Sequence, residues 1–194
     1  MAPVTKYKQV GASTTSTTDD KNRKEVQVKT PVIILGIHSN VPASADFTDG
    51  HAWISVSRDG VVTNYGLWPD DHPRIIAMGQ NDPKKSDIRV GMEDGQVSAT
   101  ERYYRLSPRQ AAVLEQKLKE NVGWHYTNTC ASWASETVLA VTGEDVDAND
   151  TLGFETPRHL SKSITTLEKR RPTNISNPQG IPDDAHVATS SSSQ

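Results

Sequence analysis

The sequence predicts an α+β fold, with strands concentrated in the first half of a central domain and helices in the second. Three observations predict it. A continuous β-branched apolar run is followed by two alternating segments joined through Asp59-Gly60. Three later segments carry helix caps and an apolar face of helical period. The two ends of the chain show no hydrophobic period.

The elements follow in order. "PVIILGIHS", residues 31–39, has the length and β-branched content of a buried strand. "HAWISVS" (51–57) alternates, and Asp59-Gly60 then leads into "VVTNYGLW" (61–68), a strong hairpin signal. The polar stretch 69–99 carries Pro69, Pro73 and Pro83 and reads as loop, with a short strand near Ile88–Val90. "RYYRL" (102–106) reads as a further strand. In "SPRQAAVLEQKLKENVG" (107–123), Ser107 caps, Pro108 suits the first helical position and Gln110 completes a capping box. The next helix starts near Asn128 or Thr129 and stops at Gly143, a residue suited to the left-handed C′ position. In "TPRHLSKSITTL", Thr156 caps and Leu160, Ile164 and Leu167 share one side.

A chain of 194 residues with a net charge of −3 fits one domain and offers no electrostatic case for binding nucleic acid or an anionic membrane surface. One cysteine excludes an intramolecular disulfide and any zinc site built on several thiolates. The longest apolar run, "VIILGI", is too short to cross a bilayer, so no stable membrane insertion is expected. The polar first 25 residues lack the apolar stretch of a secretory signal, which predicts synthesis in the cytoplasm and no export by the signal-peptide route. Residues 1–29 and 172–194 are too poor in apolar groups to offset ordering entropy and are expected to be disordered tails around a domain at 30–171. No phosphate-binding or dinucleotide fingerprint is present.

The one cysteine falls in "TNTCASWASE" (127–136), in the first turn of the second helix. There the free N–H groups and the positive end of the helix dipole favour a thiolate and offer donors to an oxyanion. Cys130 also shares a helical face with Ala134, Val138 and Val141, which by itself describes a core residue. His51 changes the balance. It follows "TDG" and opens an alternating strand, so it sits where a loop delivers a side chain to a strand end. A histidine at a strand start and a cysteine at a helix start suit a Cys–His dyad, with imidazole as general base and then acid. A third member should orient the imidazole. Asn64 is the first candidate, although a two-residue turn sets it opposite residue 55. Asp70 and Asp71 are rivals, because the same pairing brings 68–70 opposite His51. Trp68 is the best candidate for a cleft wall, and Asn128 and Tyr126 are candidates for an oxyanion donor or for packing. His38, His72, His125, His159 and His186 show no ligand-like spacing, and no metal or organic cofactor is expected.

"DGHAWISVSRDGVVTNYGLWP" followed by "RYYRLSPRQAAVLEQKL" and "YTNTCASWASETVLAVTG" resembles a circularly permuted papain-like cysteine hydrolase. The wider group includes NlpC/P60-type peptidoglycan peptidases and lecithin:retinol acyltransferase-like proteins. In the permuted members the His-bearing hairpin precedes the Cys-bearing helix, as His51 precedes Cys130 here. "Asn-x-Cys" before an aromatic residue resembles their "NC" motif with one residue inserted, and "TPRHL" resembles a later helix; the likeness covers about residues 31–167. It implies an antiparallel sheet packed against helices, cleavage of an amide bond, and either peptidoglycan peptides or a target-cell protein as substrate. Acyl transfer, or a non-catalytic interaction protein on the same fold, are the alternatives. A finer resemblance, to cysteine-hydrolase toxins delivered by type VI secretion, implies export into a target cell (periplasm or host cytosol), with a cognate immunity protein or a secretion carrier as partner.

Overall fold

The computed structural model describes residues 31–180. The expected tails at 1–29 and beyond 180 lie outside them. The described residues form one antiparallel five-stranded sheet, of order β4-β3-β2-β1-β5, and four α-helices. The strands are β1 (Ile33–Ser39), β2 (Ala52–Arg58), β3 (Val61–Leu67), β4 (Ile88–Val90) and β5 (Thr100–Leu106). The helices are α1 (Pro73–Ala77), α2 (Pro108–Lys117), α3 (Cys130–Thr142) and α4 (Pro157–Arg170). The fold is therefore α+β, with the histidine-bearing hairpin ahead of the cysteine-bearing helix. None of the helices is long and apolar enough to cross a membrane.

Strand alternation sorts the side chains. Leu35, Ile37, Ala52, Ile54, Val56, Tyr104 and Leu106 face the helices and join Leu114, Ala134, Val138, Leu160 and Ile164 in one core. The opposite face carries His38, Trp53 and Ser55, all buried as well. Asp59 and Gly60 both adopt positive φ (50° and 88°), so the β2–β3 hairpin is the two-residue turn that its Asp-Gly sequence dictates.

The strand order is not a simple meander. Consecutive strands pair from β1 to β4, but β5 returns to the far side of β1. Residues 91–99 make that transfer from one edge of the sheet to the other.

Three local expectations need correction. The stretch 69–99 holds a one-turn helix, α1, capped by His72 with Pro73 at its start; Ile75 anchors it in a small cluster with Trp68 and Met92. The helix expected over 107–123 stops at Lys117. Val122 pulls the chain away: its carbonyl accepts the Asp87 N–H at 2.7 Å and its own N–H donates to Ser86 Oγ. The expected tail at 172–194 starts too early, because 172–180 lie along the outer edge of β5. There the Gln179 N–H donates to the Tyr103 carbonyl (2.8 Å) and the Arg105 N–H to the Gln179 carbonyl (2.6 Å).

Candidate active site

Helix α3 begins at Cys130. Thr129 is its N-cap, accepting the Ser132 N–H on its hydroxyl while Ser132 Oγ accepts the Thr129 N–H. Thr129 also donates to the Glu155 carbonyl at 3.0 Å, which ties the helix start to the loop before α4. Cys130 thus occupies the first helical position, where its N–H has no intrahelical acceptor.

His51 immediately precedes β2 at the end of the sheet, held on both sides of its backbone by Asn40. Its N–H donates to Asn40 Oδ1 (2.7 Å), and its carbonyl accepts the Asn40 N–H (3.1 Å). From this fixed position the imidazole lies beside the Cys130 side chain, close enough that each group shifts the other's titration. Both residues are 9% exposed, so the pair is largely withdrawn from water.

The imidazole's other contact is Glu93. His51 Nε2 lies 2.9 Å from Glu93 Oε1, and the same oxygen accepts the indole N–H of Trp68 at 2.5 Å. Glu93 is 1% exposed, and its Oε2 has no hydrogen-bond partner among the described residues. With Nε2 engaged by a carboxylate, Nδ1 is the nitrogen left for the thiol. The Trp68 ring lies against His51, centroid to centroid 4.1 Å, and closes that side of the imidazole.

Gly66 makes the meeting sterically feasible. A Cβ there would collide with Glu93 Oε1 and come within 2.8 Å of His51 Nε2. Strand glycines often mark such close approaches.

The electrostatics favour an ion pair. Burial opposes charge on His51, but the Cys130 hydrogen bond and charge, then those of Glu93, raise its pKa to about 9. For Cys130, burial pushes the pKa up. The hydrogen bond and charge of His51, with the N–H groups of Ala52 and Ala131 on the sulfur, outweigh it and bring the pKa below that of a free thiol. The geometry can hold thiolate beside imidazolium and deliver a proton to a group bound at the sulfur.

The remaining candidates fall elsewhere. Asn64 does lie opposite Ser55, but its amide donates to Asp94 Oδ1 at 2.8 Å. Asp70 is paired with Arg89 at 2.6 Å and accepts the Asp82 N–H, while Asp71 is exposed. None of these three is bonded to His51; the position expected for them is taken by Glu93. Asn128 closes the loop before α3, its amide donating to the Gly123 carbonyl at 2.9 Å. Tyr126, on the same loop, is 78% exposed and packs edge-on to Trp124. Trp68, the cleft candidate, lies against the imidazole.

Glu93 escaped the sequence reading because 42 residues separate it from His51 within a stretch that reads as loop. Two signals pointed to it: the side-chain-free Gly66 in a strand, and an acid set between Gly91 and Gly95 just after β4. No protein-family model, curated protein or solved structure matches this chain.

Proposed function

We propose that this chain is a cysteine hydrolase, a peptidase or amidase, that cleaves an amide bond with Cys130 as nucleophile and His51 as base and acid. The observation that carries the reading is the pairing of Cys130 with His51, each shifting the other's titration, with the buried Glu93 carboxylate 2.9 Å from the imidazole Nε2. Core cysteines have no use for such a partner, whereas a nucleophile needs one.

In the first step the Cys130 thiolate attacks the carbonyl carbon and forms a C–S bond. Charge passes to the carbonyl oxygen, within reach of the Cys130 N–H at the helix start. Collapse breaks the C–N bond, and the His51 imidazolium gives its proton to the departing amine. His51, now neutral, takes a proton from water as the oxygen attacks the thioester carbon. The C–S bond then breaks, releasing a carboxylic acid and restoring thiolate and imidazolium. Throughout, Glu93 holds the ring's tautomer and orientation.

The order of histidine hairpin and cysteine helix, and the packing of α3 on an antiparallel sheet, support a permuted papain-like arrangement. On that resemblance the substrate is a peptidoglycan stem or cross-link, or a protein of a target cell. The setting is a toxin exported by a type VI or similar secretion system, with an immunity protein or carrier as partner.

Alkylation of Cys130 by iodoacetamide, followed from about pH 4 to pH 10 in wild type and His51→Ala, tests the mechanism. The expected result is a thiol that titrates below the free-cysteine value of about 8.5 and moves up when His51 is removed. An inert thiol, or one indifferent to His51, would overturn the reading. Mass analysis of products from purified peptidoglycan and from protein substrates then identifies the bond.

A further inference from the structure

The segment that brings Glu93 to His51 is held at its far end by a second histidine. His38, in β1, is 5% exposed. Its Nε2 lies 2.7 Å from Ser55 Oγ and its Nδ1 lies 3.0 Å from Ser98 Oγ, with Glu101 Oε2 at 3.6 Å from Nδ1. The Glu101 carboxyl is held below the usual range, first by its hydrogen bond to His38. Tyr103 meets the ring edge-on. Gly36 leaves the space: a Cβ there would crowd Ser55 Oγ and stand 2.6 Å from His38 Nε2.

The two histidines are linked through Trp53. Its ring stacks on His38 (5.1 Å, 10°) and on His51 (6.1 Å, 12°). They are also linked through the chain, since Glu93 and Ser98 belong to the same crossing segment. That segment is held near Glu93 as well: the Gly91 N–H donates to the Asn64 carbonyl (2.9 Å), the Asn64 amide to Asp94 Oδ1 (2.8 Å) and the Gln96 N–H to the Glu93 carbonyl (2.9 Å). Met92 and Glu93 are buried at its start, while Asp94, Gly95, Val97 and Ala99 are exposed. At its end, Ser98 bonds His38, and the Ala99 N–H donates to the Ser39 carbonyl at 2.8 Å.

A leucine could fill the volume of His38 without polar neighbours. A buried imidazole instead demands partners at fixed positions, and an unmade bond there is costly. Glu93 lies in a like situation, with one oxygen shared by two donors and the other unpartnered. Its place depends on where the segment's backbone runs.

We propose that His38 is a positioning residue for the Cys130–His51 site: by holding Ser98 it sets the path of residues 91–99 and hence the placement of Glu93 against His51. The inference rests on the cysteine-hydrolase reading.

The test is the pH profile of Cys130 alkylation by iodoacetamide, in full-length protein, for Ser98→Ala, His38→Gln, Glu93→Gln and the Ser98→Ala/Glu93→Gln double variant. Ser98→Ala removes one hydroxyl from a half-buried site, so it carries the test if His38→Gln fails to fold. Ser98→Ala is expected to shift the thiol titration upward and slow alkylation near pH 5 by about three- to tenfold, with the unfolding temperature near wild type. In the Glu93→Gln background the added effect of Ser98→Ala should vanish, because it acts through Glu93. A Ser98→Ala profile superimposable on wild type, or the same loss in both backgrounds, would overturn the positioning role. An inert wild-type thiol, or one indifferent to His51→Ala, marks the different failure of the hydrolase reading itself.

Discussion

His51 Nε2 stands 2.9 Å from Glu93 Oε1 across 42 residues of sequence, and the same carboxylate oxygen receives the Trp68 indole N–H. The contact places a carboxylate on the imidazole that lies beside Cys130 at the end of the sheet. It depends on Gly66, whose missing side chain is the space the carboxylate enters.

Glu93 and Asn64 should therefore behave oppositely. We predict that Glu93→Gln lowers turnover by on the order of 10- to 100-fold, in the range seen when the partner of a functional histidine is altered. Asn64→Ala, which removes only an exposed bond to Asp94, should stay within about twofold of wild type on the same principle that surface changes are mild. Turnover on an identified substrate, or the rate of Cys130 alkylation near pH 5, checks both. Equal losses in the two variants would contradict the assignment.

Gly66→Ala is expected to displace the Glu93 carboxylate or tilt the His51 ring. Overpacking of this kind costs about 1–3 kcal/mol. Cys130 alkylation near pH 5 should fall while far-UV circular dichroism remains that of the wild type. Unchanged alkylation would show that Glu93 is not held where the structure puts it.

The activity should follow a bell in pH. On the acid side, protonation of Cys130 removes the nucleophile, and because its pKa is lowered this limb lies below the ordinary thiol range. On the alkaline side, His51 loses the proton intended for the leaving amine as pH rises through about 9. Replacing Cys130 by Ala removes the largest influences that raise His51. Burial then faces Glu93 alone, so the imidazole should titrate lower. NMR titration of the His51 ring in wild type and Cys130→Ala reads this directly. A His51 pKa that does not fall in the variant would refute the coupling.

Away from the site, Arg102 should be a main determinant of stability. Its guanidinium is 2% exposed and pairs with Glu144 (2.9 Å) and Glu168 (2.7 Å), while also donating to the Arg171 carbonyl. These contacts join β5 to the ends of α3 and α4. Arg102→Leu strands two half-buried carboxylates and is expected to cost about 3 kcal/mol, the low end for breaking a buried ion pair. Denaturant unfolding measures it. The alkylation profile of Cys130 should not move, which separates this effect from the positioning proposed for His38.

Much of the architecture was legible in the sequence because it is set by local physics. Asp59-Gly60 specifies a two-residue turn, and that turn alone fixes the register placing Asn64 opposite Ser55 and carrying position 68 toward His51. Ser107 and Gln110 form their capping box, and Gly143 ends α3 in the left-handed conformation, φ 77°. Thr129 and Thr156 cap the helices they precede. The placement of His51 at the start of β2 and of Cys130 at the start of α3 followed from the same reading, since element ends are where short-range signals are strongest.

What only the tertiary structure decided lies along residues 91–99. No local signal states that β5 pairs with the far side of β1, because strand order depends on which pairing buries the most surface across the whole sheet. Once β4 and β5 occupy opposite edges, the chain between them must cross the sheet, and the residues it carries meet partners they do not neighbour in sequence. Glu93 reaches His51 and Ser98 reaches His38 for that reason, while Asn64, on a strand whose register was correctly set, turns to Asp94. Sequence periodicity assigns each side chain to a face of its own element. The long-range contacts that orient a buried imidazole belong to the topology.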